Sequence, residues 1–213
     1  MTLFAGIFAA QAKIDYNALE VEMRMNPERY RQLTQRFIDG DTTLTFDELS
    51  TVYYGYSMTP DYDPRDTYPQ IAKALEDKDY ELAGQLSARA LQTNPASLEL
   101  SIMDLDASEH GAKDPAHHLR TAKMGFRCDM VANTILESGR GTNAHSPFYV
   151  ISTADMMRIL HNVLGVSKII DRAKVGDIDA IKINLPGSDR MHILYFDNTR
   201  EARFLKEHGQ KAD

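Results

Sequence analysis

Cys128 is the single cysteine among 213 residues. An internal disulfide framework is thereby excluded, along with any zinc or redox motif built on a C-x-x-C pair. Basic tracts are absent too, and the formal net charge is -7. Nucleic-acid binding draws on cations set against phosphates, so no nucleic-acid partner is expected. Long apolar runs are also missing. None reaches the roughly 18 residues that a membrane-spanning helix needs, so no integral membrane segment is expected. Runs of β-branched residues are scarce before Arg140, which points to helices over that stretch.

What remains is ample for a core. Hydrophobic residues make up 43% of the chain, whose length falls between one large domain and two small ones. We read one compact unit in two parts, a helical part over residues 13–140 and a small mixed part over residues 141–213. Ahead of them, residues 1–12 read as a signal peptide that has lost its front. Leu3 to Ala10 is almost wholly apolar and Ala10-Gln11-Ala12 fits the A-x-A cleavage pattern, but the positive n-region is missing. A periplasmic or secreted location is the expectation. An apolar first helix packed on the core is the competing reading.

Helical signals then follow one another. Pro27 suits a first turn after Asn26, Tyr30, Leu33, Phe37 and Ile38 share a face, and Asp39-Gly40 stops the helix. Leu44 and Phe46 lead into a helix with Leu49, Val52 and Tyr53, and Tyr56 to Pro69 reads as an ordered loop because its aromatics favour burial. Ile71 to Leu75 and Leu82 to Leu91 look like one tetratricopeptide-type helix pair, with small Ala83 and Ala90 at the contact and Asn94-Pro95 at the break. Further helices are expected around Leu98 to Leu105 and from Ala116 to Leu136, joined by a turn from Glu109 to Pro115.

After Gly139-Arg140-Gly141, taken as a hinge, the order reads strand, helix, strand, strand, strand, short helix. Ser152 or Thr153 caps a helix whose Met156, Ile159, Leu160, Val163 and Leu164 form an apolar stripe ending at Gly165. Ile181, Ile183 and Leu185 alternate with Lys182 and Asn184, Pro186 to Asp189 makes the hairpin turn, and Met191 to Phe196 reads as a central strand. Asn198 or Thr199 caps a last helix carrying Phe204 and Leu205. The expected fold is α+β: a helical N-terminal part with a tetratricopeptide-like pair, packed on a small C-terminal β-α-β-β-β unit.

The most suggestive chemistry lies between Asp39 and Asp63. With Glu48 as the twelfth position of a calcium loop, Asp39 and Asp41 would be its third and fifth ligands. Phe37 would then be the first ligand and Thr42 the obligatory glycine, so the loop fails at both. Thr45-Phe46-Asp47-Glu48 reads instead as a capping box. The adjacent His117 and His118 point about 100° apart on a helix. Cys128, on a stripe with Met124, Val131 and Ile135, reads as a packing thiol, and Asp171, Asp177 and Asp179 as solvated turn aspartates.

Two blocks carry a resemblance. Asp41-Thr42-Thr43-Leu44-Thr45, Tyr53-Tyr54-Gly55-Tyr56 and Tyr62-Asp63-Pro64 form the first; Gly139, Gly141-Thr142, Pro147 to Ile151 and Asp155 form the second. Together they resemble a domain-of-unknown-function family of secreted proteins from Gram-negative gut anaerobes. His145 stands where that family more often carries an acidic or polar residue. The resemblance implies an exported, single-unit protein with no assigned activity or cofactor.

The leading expectation is a non-catalytic module that binds a protein or peptide, with Tyr54, Tyr56, Tyr62, Arg140 and His145 as the ligand-binding candidates. Tyrosine suits interfaces because it brings large area at low entropy cost. A hydrolase-type enzyme at the junction of the halves, using Tyr56, Arg140 and His145, stays open, as does a purely structural role. No catalytic residue, metal site or cofactor is assigned.

Overall fold

The computed structural model describes residues 13–111, 115–188 and 190–209. Outside them lie the expected signal segment, the middle of the turn before Pro115, Asp189 of the hairpin turn and the side chain of His117.

The chain is α+β, as the periodicity predicts. Seven helices come first among the described residues: α1 (Tyr16–Met25), α2 (Pro27–Asp39), α3 (Phe46–Tyr56), α4 (Pro69–Glu76), α5 (Tyr80–Thr93), α6 (Leu98–His110) and α7 (Pro115–Glu137). Their limits follow from local chemistry. Pro27 opens α2, and Gly40, at φ 80°, closes it in the left-handed region that costs glycine nothing. Thr45 and Glu48 form the expected capping box on α3. Asp79 and Ser97 cap α5 and α6 through side-chain acceptors.

The second part holds β1 (Phe148–Tyr149), α8 (Thr153–Arg158), β2 (Ile169–Val175), β3 (Ile178–Asn184), β4 (Met191–Asp197) and α9 (Thr199–His208). Its sheet runs β1-β4-β3-β2, with β1 parallel to β4 and the other pairs antiparallel. β4 is internal, as expected, yet only one of its faces is covered. Met191 and Ile193 stay exposed while Phe196 is fully buried.

Three expectations need correction. The apolar stripe of α8 does not continue as one α-helix. Ile159–Val163 widens into a π-helical turn, with the Leu164 N–H donating to the Ile159 carbonyl at 2.9 Å, and this swings Val163 outward. Asp179 is fully buried rather than solvated. Arg172 (3.1 Å) and Lys174 (2.8 Å), reaching over from the adjacent strand, neutralise its carboxylate. Gly139 and Gly141 are close-approach glycines rather than a loose hinge. A Cβ on Gly139 would lie 1.8 Å from the Pro147 carbonyl oxygen, and one on Gly141 would lie 2.1 Å from the Phe148 ring.

One hydrophobic cluster spans both parts, from Leu33 and Phe37 through Tyr53, Tyr54 and Ile135 to Met156, Ile183 and Phe196. A second one, of Ile71, Leu91, Leu100, Met103 and Met124, fills the space among α4 to α7. Beside it Ala74, Ala83 and Ala107 meet, where small side chains let α4, α5 and α6 approach closely.

Candidate functional site

The tyrosines of α3 and the following loop point inward. Tyr53, Tyr54, Tyr56 and Tyr62 are all buried, the first two almost completely. Each phenol needs a partner once it leaves water, and each finds one. The Tyr54 hydroxyl donates to the Tyr149 carbonyl at 3.1 Å, Tyr56 to the Asp61 carbonyl at 2.9 Å, and Tyr62 to the Ile151 carbonyl. Edge-on contacts between Tyr53 and Tyr54, Tyr56 and Tyr62, and Tyr62 and Phe204 lock the rings together. Burial pushes all four phenols up in pKa, so they remain protonated donors. These rings fasten the helical part to β1 and α9.

Asp155 is the polar centre of that junction. It is buried at the start of α8. Its Oδ2 accepts from the Tyr53 hydroxyl at 2.9 Å and its Oδ1 from the Glu99 backbone N–H at 3.0 Å, while its own N–H donates to Ser152 Oγ at 3.1 Å. The Glu99 N–H belongs to the first turn of α6, where orphan donors and the helix dipole favour an anion. One carboxylate therefore ties α3, α6 and α8 together. Burial dominates its titration and raises the carboxyl to about 6, against the lowering effect of the Glu99 and Tyr53 hydrogen bonds. Arg158 forks onto the neighbouring Glu99. The cleft over this node, bordered by Tyr56, Tyr62, Tyr68 and Asn94, measures about 20 Å³. That is room for about one water.

Arg140 and His145 lie elsewhere. Both are exposed on the loop after α7, and neither borders the cleft that Tyr56 and Tyr62 share. That loop is held by its backbone, with the Arg140 and Gly141 N–H groups donating to the Ser146 carbonyl and the Gly141 carbonyl accepting from Tyr195. The carboxylates of the calcium-like stretch hold an arginine. Asp41 and Glu48 grip Arg36 at 2.8 and 2.9 Å. Thr43 and Arg36 together keep Asp41 down at about 2. Cys128 is buried, and burial pushes its thiol up to about 12, where it carries little thiolate.

A far roomier cavity lies elsewhere, a cleft of about 460 Å³ between the end of α2 and helices α5 and α7. Its floor is apolar: Leu91 and Met124 are buried there, and Ile38 and Leu119 stand at the edge, 37% and 61% exposed. Arg120, Lys123 and Arg127 of α7 line it, together with Asp104 of α6. Asp104 is fully buried and accepts from Ser87 at 2.7 Å and Arg120 at 2.8 Å. Arg127 lies over the Phe37 ring and donates to the Pro95 carbonyl at 2.7 Å. Lys123 is exposed and makes no ion pair among the described residues.

A family model described as "Domain of unknown function (DUF4919)" matches residues 19–207. The chain belongs to that family. No curated protein and no solved structure matches the DUF4919 chain. The matched span takes in both the Asp155 junction and every residue lining the large cleft. No helix among the described residues is long and apolar enough to cross a membrane.

In the sequence of the DUF4919 chain the parts of this cleft read as ordinary helix faces. Ile38 is grouped with the buried stripe of α2, and Leu91 with that of α5. One signal was present: Leu119 and Lys123 are one turn apart on α7 and off its Met124, Cys128, Val131 face.

Proposed function

We propose that the DUF4919 chain is a non-catalytic binding module that takes a protein or peptide segment in the cleft between α2, α5 and α7. The observation that carries this reading is an apolar-floored cavity of about 460 Å³ with Leu119 exposed at its mouth. Ligand sites are concave, largely apolar and carry a few polar groups, and helix-built grooves commonly receive peptides. Support also comes from helix order. α4 to α7 pack each on the next, with Ala74, Ala83 and Ala107 meeting among α4, α5 and α6, in keeping with a tetratricopeptide-like pair at α4 and α5. Stacked helix pairs of that kind offer surfaces for binding peptides. In this reading Tyr54, Tyr56 and Tyr62 support the scaffold.

A hydrolase at the junction draws less support. The Tyr56 cleft has space for about one water, and Arg140 and His145 do not border it. A periplasmic or secreted location is supported by the apolar Leu3 to Ala10 stretch and the Ala10-Gln11-Ala12 pattern. Protein recovered outside the cytoplasm with Lys13 as its first residue would agree, whereas uncleaved protein in the cytoplasm would oppose it.

The binding reading is tested by selecting a displayed library of random peptides on the full chain and on Leu119→Asp. Leu119 is mostly exposed, so the substitution leaves the fold intact. Enrichment on the wild type that disappears on the variant is the expected result. Equal enrichment on both, or none on either, overturns the reading.

A further inference from the structure

The charge of the cleft runs against that of the molecule, and this specifies what enters it. The chain as a whole carries a net charge of -7, yet α7 sets Arg120, Lys123 and Arg127 along one wall of the cavity. The carboxylate among the lining residues, Asp104, does not face an incoming ligand. It is fully buried, with Ser87 and Arg120 both donating to its Oδ1 and its Oδ2 closed off from solvent. Arg120 keeps about half of its side chain exposed, 49%, while holding Asp104, and Lys123 is exposed with no ion pair among the described residues. Three cations against one carboxylate leave the lining net positive, and the unpaired Lys123 sits one turn from Leu119 on the same helix.

We infer that the segment bound in this cleft is acidic: an apolar side chain lies over Leu91, Leu119 and Met124, and an adjacent carboxylate pairs with Lys123 and Arg120. The inference rests on the binding reading above and adds the chemistry of the partner. The two parts of the site have different tasks. The apolar floor supplies the burial on which affinity depends. The cations at the mouth select sign and speed encounter, and an exposed pair strengthens binding by up to about fivefold. A basic segment meets repulsion at the same place. Nucleic acid shares the negative charge but needs a far broader basic surface than three residues in a chain of net charge -7 offer.

Random-peptide selection on the full chain, compared with the same selection on Lys123→Glu, tests this. Both proteins should melt alike, since Lys123 is exposed. Peptides enriched on the wild type are expected to be acidic, and that preference is expected to vanish or reverse on the variant. Replacing each Asp and Glu of a selected peptide by Asn and Gln should weaken its anisotropy-measured binding by roughly threefold to tenfold, the effect of one or two exposed pairs. High salt should remove that difference. Leu119-dependent peptides that are neutral or basic, or acidic ones that bind Lys123→Glu equally well, overturn the inference and leave the binding reading standing. No Leu119-dependent peptide at all defeats both. A Leu119-dependent dimer in sedimentation would assign the cleft to a second copy of the chain and overturn the inference as well.

Discussion

Replacing Asp155 by Asn removes one ionisable proton from the junction of α3, α6 and α8 while keeping the shape of the side chain. The buried carboxyl titrates at about 6 in the fold, compared with 3.8 when unperturbed. Because the folded value is the higher one, the fold holds this proton more tightly than the unfolded chain does. Its contribution to stability is complete below 3.8 and is lost as the pH rises through 6. The span corresponds to about 3 kcal/mol. The oxygen of the substituted amide would still accept from the Glu99 N–H, but its nitrogen would now face the Tyr53 hydroxyl with a donor. That adds an offset that does not change with pH. Asp41, held at about 2 by Thr43 and Arg36, works with the opposite sign at lower pH and cancels between the two proteins. The assay is denaturant unfolding of wild type and variant at a series of pH values. Wild-type stability relative to the variant should grow by about 3 kcal/mol between about pH 7 and about pH 3.5. A relative stability that stays flat, or that falls toward acid, would refute the desolvation argument.

Other perturbations should separate the parts of the scaffold. Tyr54→Phe leaves the buried Tyr149 carbonyl without the hydroxyl that it accepts from at 3.1 Å, and should lower stability by about 1–3 kcal/mol in the same unfolding assay. Gly141→Ala places a Cβ against the Phe148 ring on a residue with φ 65°, so a loss of about 3 kcal/mol or more, or insoluble protein, is expected; a native melting profile would contradict it. Removing both cations over Asp179, Arg172→Met with Lys174→Met, strands a fully buried carboxylate. It should cost about 3–5 kcal/mol, clearly more than either single change. Thr45→Ala breaks the α3 capping box and should cost about 1 kcal/mol.

What the sequence reveals and what it hides divides along the range of the interactions. Local signals suffice for α2, whose limits are written in Asn26-Pro27 and Gly40, for the capping box of α3, and for β3, where Ile181 and Ile183 alternate with polar neighbours. The α+β order follows from such signals taken in turn. The direction of the tyrosines does not, because a tyrosine serves equally as interface or core until its hydroxyl has a partner. Those partners are remote: Tyr53 meets Asp155 and Tyr54 meets the Tyr149 carbonyl, each about half the chain away. Asp179 is hidden for a similar reason, since its burial depends on Arg172 and Lys174 reaching from the paired strand. The π-helical turn leaves the apolar spacing of α8 unchanged and so leaves no mark in the periodicity. The large cleft exists only once α2 meets α7 through Phe37 and Arg127.

Amide hydrogen exchange of the full chain with and without a selected peptide tests the binding account most directly. Added protection should fall on Leu119 to Arg127 of α7 and on the end of α5 around Leu91, the walls of the cleft. Protection confined to the Tyr56 to Tyr68 loop, or to the segment carrying Arg140 and His145, would contradict it and return the site to the tyrosine junction.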